Sequence, residues 1–167
     1  MRLELRTGDI TEQPDLDAVV NAANARLMPG GGVAGAIHRA AGPDLAQACR
    51  PLAPIEPGEA VITPGFELPN RWVVHVLGPR YGVDEPADEL LAAAYRNALA
   101  RCSEHEIGSV GFPAISAGAF GFPIDDAARI ALASVAAHAP AALTVRFVLF
   151  DDGDLGVFEQ ARSGRSR

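Results

Sequence analysis

Three consecutive glycines, Gly30 to Gly32, stand between an apolar run, Leu16 to Val20, and a stretch of small residues at helical spacing, Val33 to Ala41. Without a Cβ, successive backbone N–H groups can turn into one concavity. A helix that starts directly behind them adds the positive end of its dipole. The chemistry such a site suits is the holding of a phosphate. A second small-residue loop, Ser116, Ala117, Gly118, Ala119, Phe120 and Gly121, lies between another apolar run, Val110 to Ile115, and a helix opening at Pro123. Two such loops would clasp a diphosphate from both sides.

Other chemistries are poorly provided for. Cys49 and Cys102 have no CxxC spacing and no histidine pair nearby, so neither a zinc site nor a redox motif is indicated. Either thiol would be a nucleophile only with a base beside it. His38, His75, His105 and His138 lack metal-like partners two to four residues away, and no metal or cofactor is expected. His38 lies close to the first loop but reads as structural. All 14 basic residues are arginine, which excludes Schiff-base chemistry and a phosphate-loop lysine. The net charge of −7 argues against non-specific nucleic-acid binding, which needs a basic face. Amide donors carry no formal charge, so a phosphate ligand is still admitted.

The elements that must position these loops alternate between strand and helix. Residues 1–6 read as a strand, followed by a polar turn at Thr7 to Thr11 and a short buried strand at Asp17 to Val20. Helix 33–41 stops at Gly42 and Pro43, and Asp44 is expected to cap a helix running to about Arg50. Prolines 51, 54 and 57 make 51–58 a loop. Strands follow at Glu59 to Thr63 and Trp72 to Leu77, with a turn around Pro69 and Asn70. Pro86 opens the longest helix, whose inward stripe is Leu91, Ala94, Tyr95, Ala98, Leu99 and Cys102. Ser109 to Ile115 reads as a strand. The helix from Pro123 would bury Ile130, Ala131, Ser134 and Val135, and Thr144 to Phe150 reads as the last strand. Asp154 is expected to cap a short helix to about Ala161, leaving 163–167 as a frayed tail. The pattern predicts one α/β domain over 1–162, a sheet covered on both faces by helices. No apolar run reaches a membrane span and no signal peptide is visible, so a cytoplasmic protein is expected.

Gly30, Gly32 and Gly35 satisfy GxGxxG, which raises a dinucleotide-binding Rossmann fold. The context is wrong for it. Seven residues, Ala23 to Pro29, separate the motif from its strand, and the acidic residue expected about 20 positions on falls in the proline loop, near Glu56 and Glu59.

Four blocks, two of them containing the loops already described, fix a likeness. Gly-Asp-Ile-Thr at 8–11, Asn-Ala-Ala-Asn at 21–24, Gly-Gly-Gly-Val-Ala-Gly at 30–35 and Pro-Ala-Ile-Ser-Ala-Gly-Ala-Phe-Gly at 113–121 together resemble the macrodomain family. His-Val-Leu-Gly-Pro at 75–79 and Phe-Val-Leu-Phe-Asp at 147–151 fit as well. The resemblance implies a three-layer α/β/α fold with a central mixed, mostly parallel sheet, and a cleft for ADP-ribose at the sheet's end. It implies that Asp9 accepts from the adenine amino group, Ile10 reaches the ring through its backbone, Phe150 packs near the adenine and Asn24 bonds the distal ribose. Gly31, Gly32 and Val33 would hold one side of the diphosphate and Ser116, Ala117, Gly118, Ala119 and Phe120 the other. Ala22, Gly30, Pro113 and Gly121 complete the implied ligand-contacting set. On residue chemistry alone alternatives stand beside these roles. Asp9 equally suits a turn, Asn21 and Asn24 suit local backbone caps, and Phe150 suits the core. Asn21 reads as a structural loop residue.

One departure bears on activity. MacroD-type hydrolases, as the resemblance has it, carry an aspartate between the valine and the last glycine of the first loop, and here that position is Ala34. Both loops look closer to viral and some archaeal members, but the histidine that viral members place before the glycines is Pro29. A diphosphate-activated water would then attack the distal anomeric carbon, with Asn24, Phe120 and Gly32 as the catalytic set. The expected activity is hydrolysis of mono-ADP-ribosyl esters on acidic side chains, or of O-acetyl-ADP-ribose, by a monomer. A non-catalytic reader of ADP-ribose and a phosphatase acting on ADP-ribose 1″-phosphate are the alternatives.

Overall fold

The computed structural model describes residues 1–165. The elements in chain order are β1 (Arg2–Thr7), β2 (Ala18–Ala22), α1 (Gly32–Ala41), α2 (Pro43–Cys49), a 3-10 turn (Arg50–Leu52), β3 (Ala60–Pro64), β4 (Trp72–Val76), α3 (Ala87–Glu104), β5 (Ser109–Phe112), α4 (Ile124–His138), β6 (Thr144–Leu149) and α5 (Asp152–Arg165). The strands form one sheet in the order β1-β6-β5-β2-β4-β3. Every neighbouring pair is parallel except β3 with β4, which form an antiparallel edge.

Strand side chains alternate between two cores, as a pleated strand buried on both faces must. Ala18, Val20, Val74, Val76, Val145, Phe147 and Leu149 join the buried stripes of α3, α4 and α5. Val19, Val73 and Val148, the neighbours of opposite parity, join α1 and α2 through Ile37, Ala41, Leu45 and Cys49. This is the three-layer α/β/α arrangement. The expected stripe of α3, Leu91 to Cys102, is buried, as are Ile130, Ala131, Ser134 and Val135 of α4. An aromatic chain crosses the first core, with ring centroids 5.3 Å apart for Tyr95 and Phe112, 5.6 Å for Phe112 and Phe147, and 5.1 Å for Phe147 and Phe158.

Several boundaries differ from the sequence reading. β2 runs on to Ala22, so Asn21 is a fully buried strand residue rather than part of a loop. β5 ends at Phe112, three residues before Ile115. α2 starts at Pro43, whose fixed φ suits a first helical position, so Asp44 lies inside the first turn instead of capping it. The loop expected over 51–58 opens with the 3-10 turn at Arg50–Leu52. At α5 the cap is Asp151, whose Oδ1 accepts from the Asp154 amide at 2.9 Å. That helix continues to Arg165, past the expected stop at Ala161 and through part of the presumed tail. Residues 166–167 of that tail lie outside the described residues.

Asn21 belongs to a buried polar cluster on the α1 and α2 face. Its amide nitrogen lies 3.0 Å from Nδ1 of His75. An amide nitrogen only donates, so Nδ1 accepts and the ring proton sits on Nε2. Nε2 is 2.9 Å from Thr63 Oγ1, which donates onward to the Pro64 carbonyl at 3.1 Å. Cys49 Sγ is 3.8 Å from the same nitrogen, which carries the proton in this tautomer, so the thiol faces a donor and not a base. Burial makes the pair inert: it pushes Cys49 up to about 11 and His75 down to about 3. No thiolate forms at neutral pH.

Two outcomes follow from this packing. Phe147→Ala, which opens a cavity among three elements, should lower unfolding free energy by about 3–5 kcal/mol in urea titrations. His75 binds its proton with a pKa near 3 when folded and about 6.5 when unfolded. Between those values the unfolded chain holds the extra proton, so stability rises with pH and falls on acidification. From pH 6.5 to 4 the loss should approach about 1.4 kcal/mol per pH unit, and His75→Gln should flatten that slope.

Candidate functional site: a crevice between two glycine loops

Because five strands are parallel, the segments after Thr7, Ala22, Val76, Phe112 and Leu149 all leave the sheet at the same end. Strand order places a switch point between β2 and β5, where open sheets form their binding crevices. β2 leads into α1 on one face, and β5 leads into α4 on the other. The two strands pair only at Ala18 with Val110 and Val19 with Gly111, while β2 continues beside β4 as far as Ala22. A Cβ on Gly111 would sit 2.9 Å from Leu16 Cδ1, so glycine allows the close approach here.

The first glycine loop grows from β2. The Ala23 amide bonds the Val76 carbonyl at 2.8 Å, holding the loop base to β4. Asn24 then closes a turn with both ends of its side chain: Oδ1 accepts from Met28 N at 3.1 Å and Nδ2 donates to Met28 O at 2.8 Å. This is the local-cap role that residue chemistry allowed it. Leu27, inside that turn, is fully buried with φ 58, and its backbone is a hydrogen-bond partner of His38 on α1. The buried His38 is thus an anchor for the loop, and burial lowers its pKa below the usual histidine range. Gly35 is fixed by contact, because a Cβ there would collide with the Gly30 carbonyl. Gly30, Gly31 and Gly32 are exposed. α1 starts at Gly32 with no side-chain cap and no acidic residue in its first turn. Its leading N–H groups therefore have no side-chain acceptor, the condition under which a helix start binds an anion.

The second loop leaves the neighbouring strand β5 at the same end of the sheet. Turn bonds from Ala117 N to Ala114 O (3.3 Å), Gly121 N to Gly118 O (3.0 Å) and Phe122 N to Ser116 O (2.9 Å) fold Pro113 to Gly121 tightly. Tyr95 of α3 accepts from the Ile115 amide at 3.2 Å and so pins the loop to the core. Ser116 is buried with φ 66, and its Oγ has no hydrogen-bond partner. A non-glycine residue held in that region is strain of the kind stored at functional sites. Gly118 and Ala119 are exposed, and a Cβ added at Gly118 would meet nothing within 4 Å. Phe120 packs against the same core as Val33 and Met28 of the first loop, so the two loops share one side of the molecule. Its carbonyl also accepts from Tyr81 N at 2.8 Å, which ties in the loop after β4.

At the far side of the same sheet end, β1 and β6 are neighbours, and the Gly8 amide extends their ladder to the Leu149 carbonyl at 3.2 Å. Asp9 and Phe150 leave adjacent strands there. Asp9 Oδ1 accepts from Thr11 N at 2.9 Å and Thr11 Oγ1 at 2.6 Å. These bonds hold its carboxyl below the usual range, so it is ionised at neutral pH. Ile10 is buried in the α1 and α2 core, which leaves only its backbone for a ligand. Phe150 is 91% exposed, so it is not a core residue. A separate cavity of about 430 Å³, bounded by Tyr81, Gly82, Glu85, Pro86, Ala87, Asp88 and Glu89, lies outside the glycine loops. Its three carboxylates would repel phosphate. Among the described residues no group of three or more His, Cys, Asp and Glu is placed to hold a metal ion.

Sequence reasoning missed the supports of this site. The tie from His38 to Leu27, the Tyr95 hydroxyl under Ile115 and the contact of Gly35 with Gly30 join residues whose types are ordinary. Only the position of His38 on the helix behind the loop gave a signal.

Comparison with known proteins agrees with the geometry. The family model "Macro domain" matches residues 20–131. A macro domain-containing protein of Ralstonia nicotianae is 48% identical over 146 residues, covering 87% of this chain and 85% of that protein. One from Lactiplantibacillus plantarum is 48% identical over 159 residues and 92% of each chain. Among solved structures, the Oceanobacillus iheyensis macrodomain with ADP is 38% identical with a TM-score of 0.92, over 96% of this chain and 89% of that one. The Trypanosoma brucei macrodomain in complex with ADP-ribose is 37% identical with a TM-score of 0.88, over 96% and 69%. By sequence and by fold, the chain belongs to the macro domain family.

Proposed function

We propose that this protein binds ADP-ribose in the crevice where β2 and β5 part, and hydrolyses mono-ADP-ribosyl esters on acidic side chains or O-acetyl-ADP-ribose. The observation that carries the proposal is the pairing of an uncapped α1 start at Gly32 with a strained, open loop at Ser116 to Gly121. Their amides suit a diphosphate, whose charge backbone donors stabilise without a basic side chain. The Oceanobacillus and Trypanosoma macrodomains, solved with ADP and with ADP-ribose, support the choice of ligand.

Each end of the ligand meets suitable chemistry. Asp9 has committed Oδ1 to Thr11, and Oδ2 is left to accept from the adenine amino group. Phe150 supplies an exposed ring face beside it. Asn24 keeps one amide proton and one carbonyl lone pair beyond those spent on Met28, enough to donate to and accept from a ribose diol. Phe120 narrows the space around the distal ribose, and Gly32 holds the phosphate nearest to it.

Water is the nucleophile. On an acidic-side-chain ester the bound diphosphate orients the water and takes up its proton as the water oxygen bonds the anomeric carbon. The side-chain carboxylate leaves with the electrons of its bond to that carbon. On O-acetyl-ADP-ribose the same water attacks the acetyl carbonyl carbon instead, and the ribose hydroxyl leaves as acetate forms. Ala34 offers no general base, and such a base contributes about 10²–10⁴-fold, so turnover is slow rather than absent.

Two measurements test the proposal. Calorimetry should show ADP-ribose binding, ADP binding more weakly and AMP weaker still. Single-turnover release of ADP-ribose from a glutamate-linked substrate should exceed the uncatalysed rate. Asn24→Ala and Phe120→Ala should each cut that rate by about 10-fold or more while changing affinity less. Equal losses in rate and affinity, or no release at all despite tight binding, would identify a reader instead.

A further inference from the structure

The loop that carries Asp9 is held from below by a buried relay starting in β6. Arg146 lies in the sheet with its side chain 4% exposed. Its Nε donates to Glu4 Oε1 on β1 at 2.8 Å, and Nη1 and Nη2 fork onto the Asp15 carboxylate at 2.8 and 2.6 Å. Nη1 also donates to Gln13 Oε1 at 2.9 Å. Gln13 is itself buried, and its Nε2 donates to the Asp9 carbonyl at 2.9 Å. Arginine only donates, so it fixes which way round the Gln13 amide lies. Asn70, reaching in from the turn after β3, bonds the Gln13 and Leu16 carbonyls, both at 2.8 Å.

Sheet packing alone does not call for this arrangement. A buried guanidinium is costly to desolvate, and an apolar side chain of similar size fills the same space as well or better. What an apolar residue cannot do is orient a neighbouring amide. Here that amide ends on the backbone of Asp9, whose carboxylate is exposed at this corner of the crevice.

We propose that Gln13, clamped by Arg146, is the positioning residue that sets selectivity for adenine over 6-oxopurines, by fixing the Asp9 backbone and so the aim of its carboxylate. The proposal rests on the ADP-ribose assignment above and adds what holds the base-reading group in place. A carboxylate accepts only; adenine presents an amine to it, whereas hypoxanthine presents a carbonyl oxygen at the same position. An immobile carboxylate therefore rejects the 6-oxopurine by acceptor facing acceptor. Thr11 holds the carboxylate to its own turn through Oδ1 and Gln13 holds that turn to the sheet, so a loosened Gln13 lets turn and carboxylate shift together and weakens the rejection.

Calorimetry with ADP and inosine diphosphate reads this directly. The unaltered protein should prefer ADP by about tenfold or more, the ratio of one charge-assisted hydrogen bond. Gln13→Glu keeps an acceptor for Arg146 but sets an oxygen against the Asp9 carbonyl. It should weaken ADP about threefold, tighten inosine diphosphate about threefold as the clash of acceptors is relieved, and bring the ratio within about threefold. Gln13→Met, of similar volume, should do the same and serves if the glutamate variant fails to fold, which the thermal midpoint reports. Adding Asp9→Ala to either variant should change the ratio no further. A purely structural role would lower both affinities together, so an unaltered ratio in a folded variant overturns the proposal. Binding of ADP-ribose and ADP by the unaltered protein without discrimination against inosine diphosphate also overturns it. Absence of ADP-ribose binding in the unaltered protein refutes instead the ligand assignment on which it rests.

Discussion

The short parallel contact of β2 with β5 is the constraint on which the site depends. The strands pair through Ala18 with Val110 and Val19 with Gly111, and then part. Beyond that point β2 stays in register with β4 to Ala22, while β5 ends at Phe112. Their following helices lie on opposite faces of the sheet. A crevice flanked by two strand-to-helix loops is the geometric consequence. Longer pairing, or helices on the same face, would close it.

The loops around the crevice are fixed by the core rather than by each other. Tyr95, fully buried in α3, bonds the Ile115 amide beneath the second loop. His38 of α1 and the contact between Gly35 and Gly30 fix the first. Phe120 links them by packing on the core that also takes Val33. Amides held this way stay pointed at an anion without reorganising, which is where preorganised dipoles gain their effect. The same rigidity sustains Ser116 in a left-handed conformation that an isolated turn would relax. With a formal charge of −7, the chain does not draw a nucleotide by bulk attraction. Local dipoles must do it.

Much of this was legible in the sequence because it depends on local pattern. Glycine runs, strand alternation and the helical stripe of Leu91 to Cys102 each state their own structure, and the sheet with helices on both faces follows from their order. Boundaries set by tertiary contact were not legible. β2 extends through Asn21 because His75, distant in sequence, supplies a buried partner for its amide. Asp151 rather than Asp154 caps α5, a choice between aspartates that composition cannot make. Asn24 stands out in the sequence as a candidate, but its bonds to Met28 depend on a turn that buries Leu27. The Arg146, Gln13 and Asp9 chain joins residues up to 137 positions apart, beyond any local signal. Phe150 fits a strand ending in the core, and only its place past Leu149 leaves it bare.

The central claim is that amides from both loops hold one diphosphate. A crystal structure of the protein with ADP-ribose tests it most directly. The expected result is diphosphate oxygens within about 3 Å of backbone nitrogens in Gly31 to Val33 and, simultaneously, in Gly118 to Phe120. A diphosphate bound by one loop alone, or lodged in the acidic cavity beside Tyr81, would contradict it.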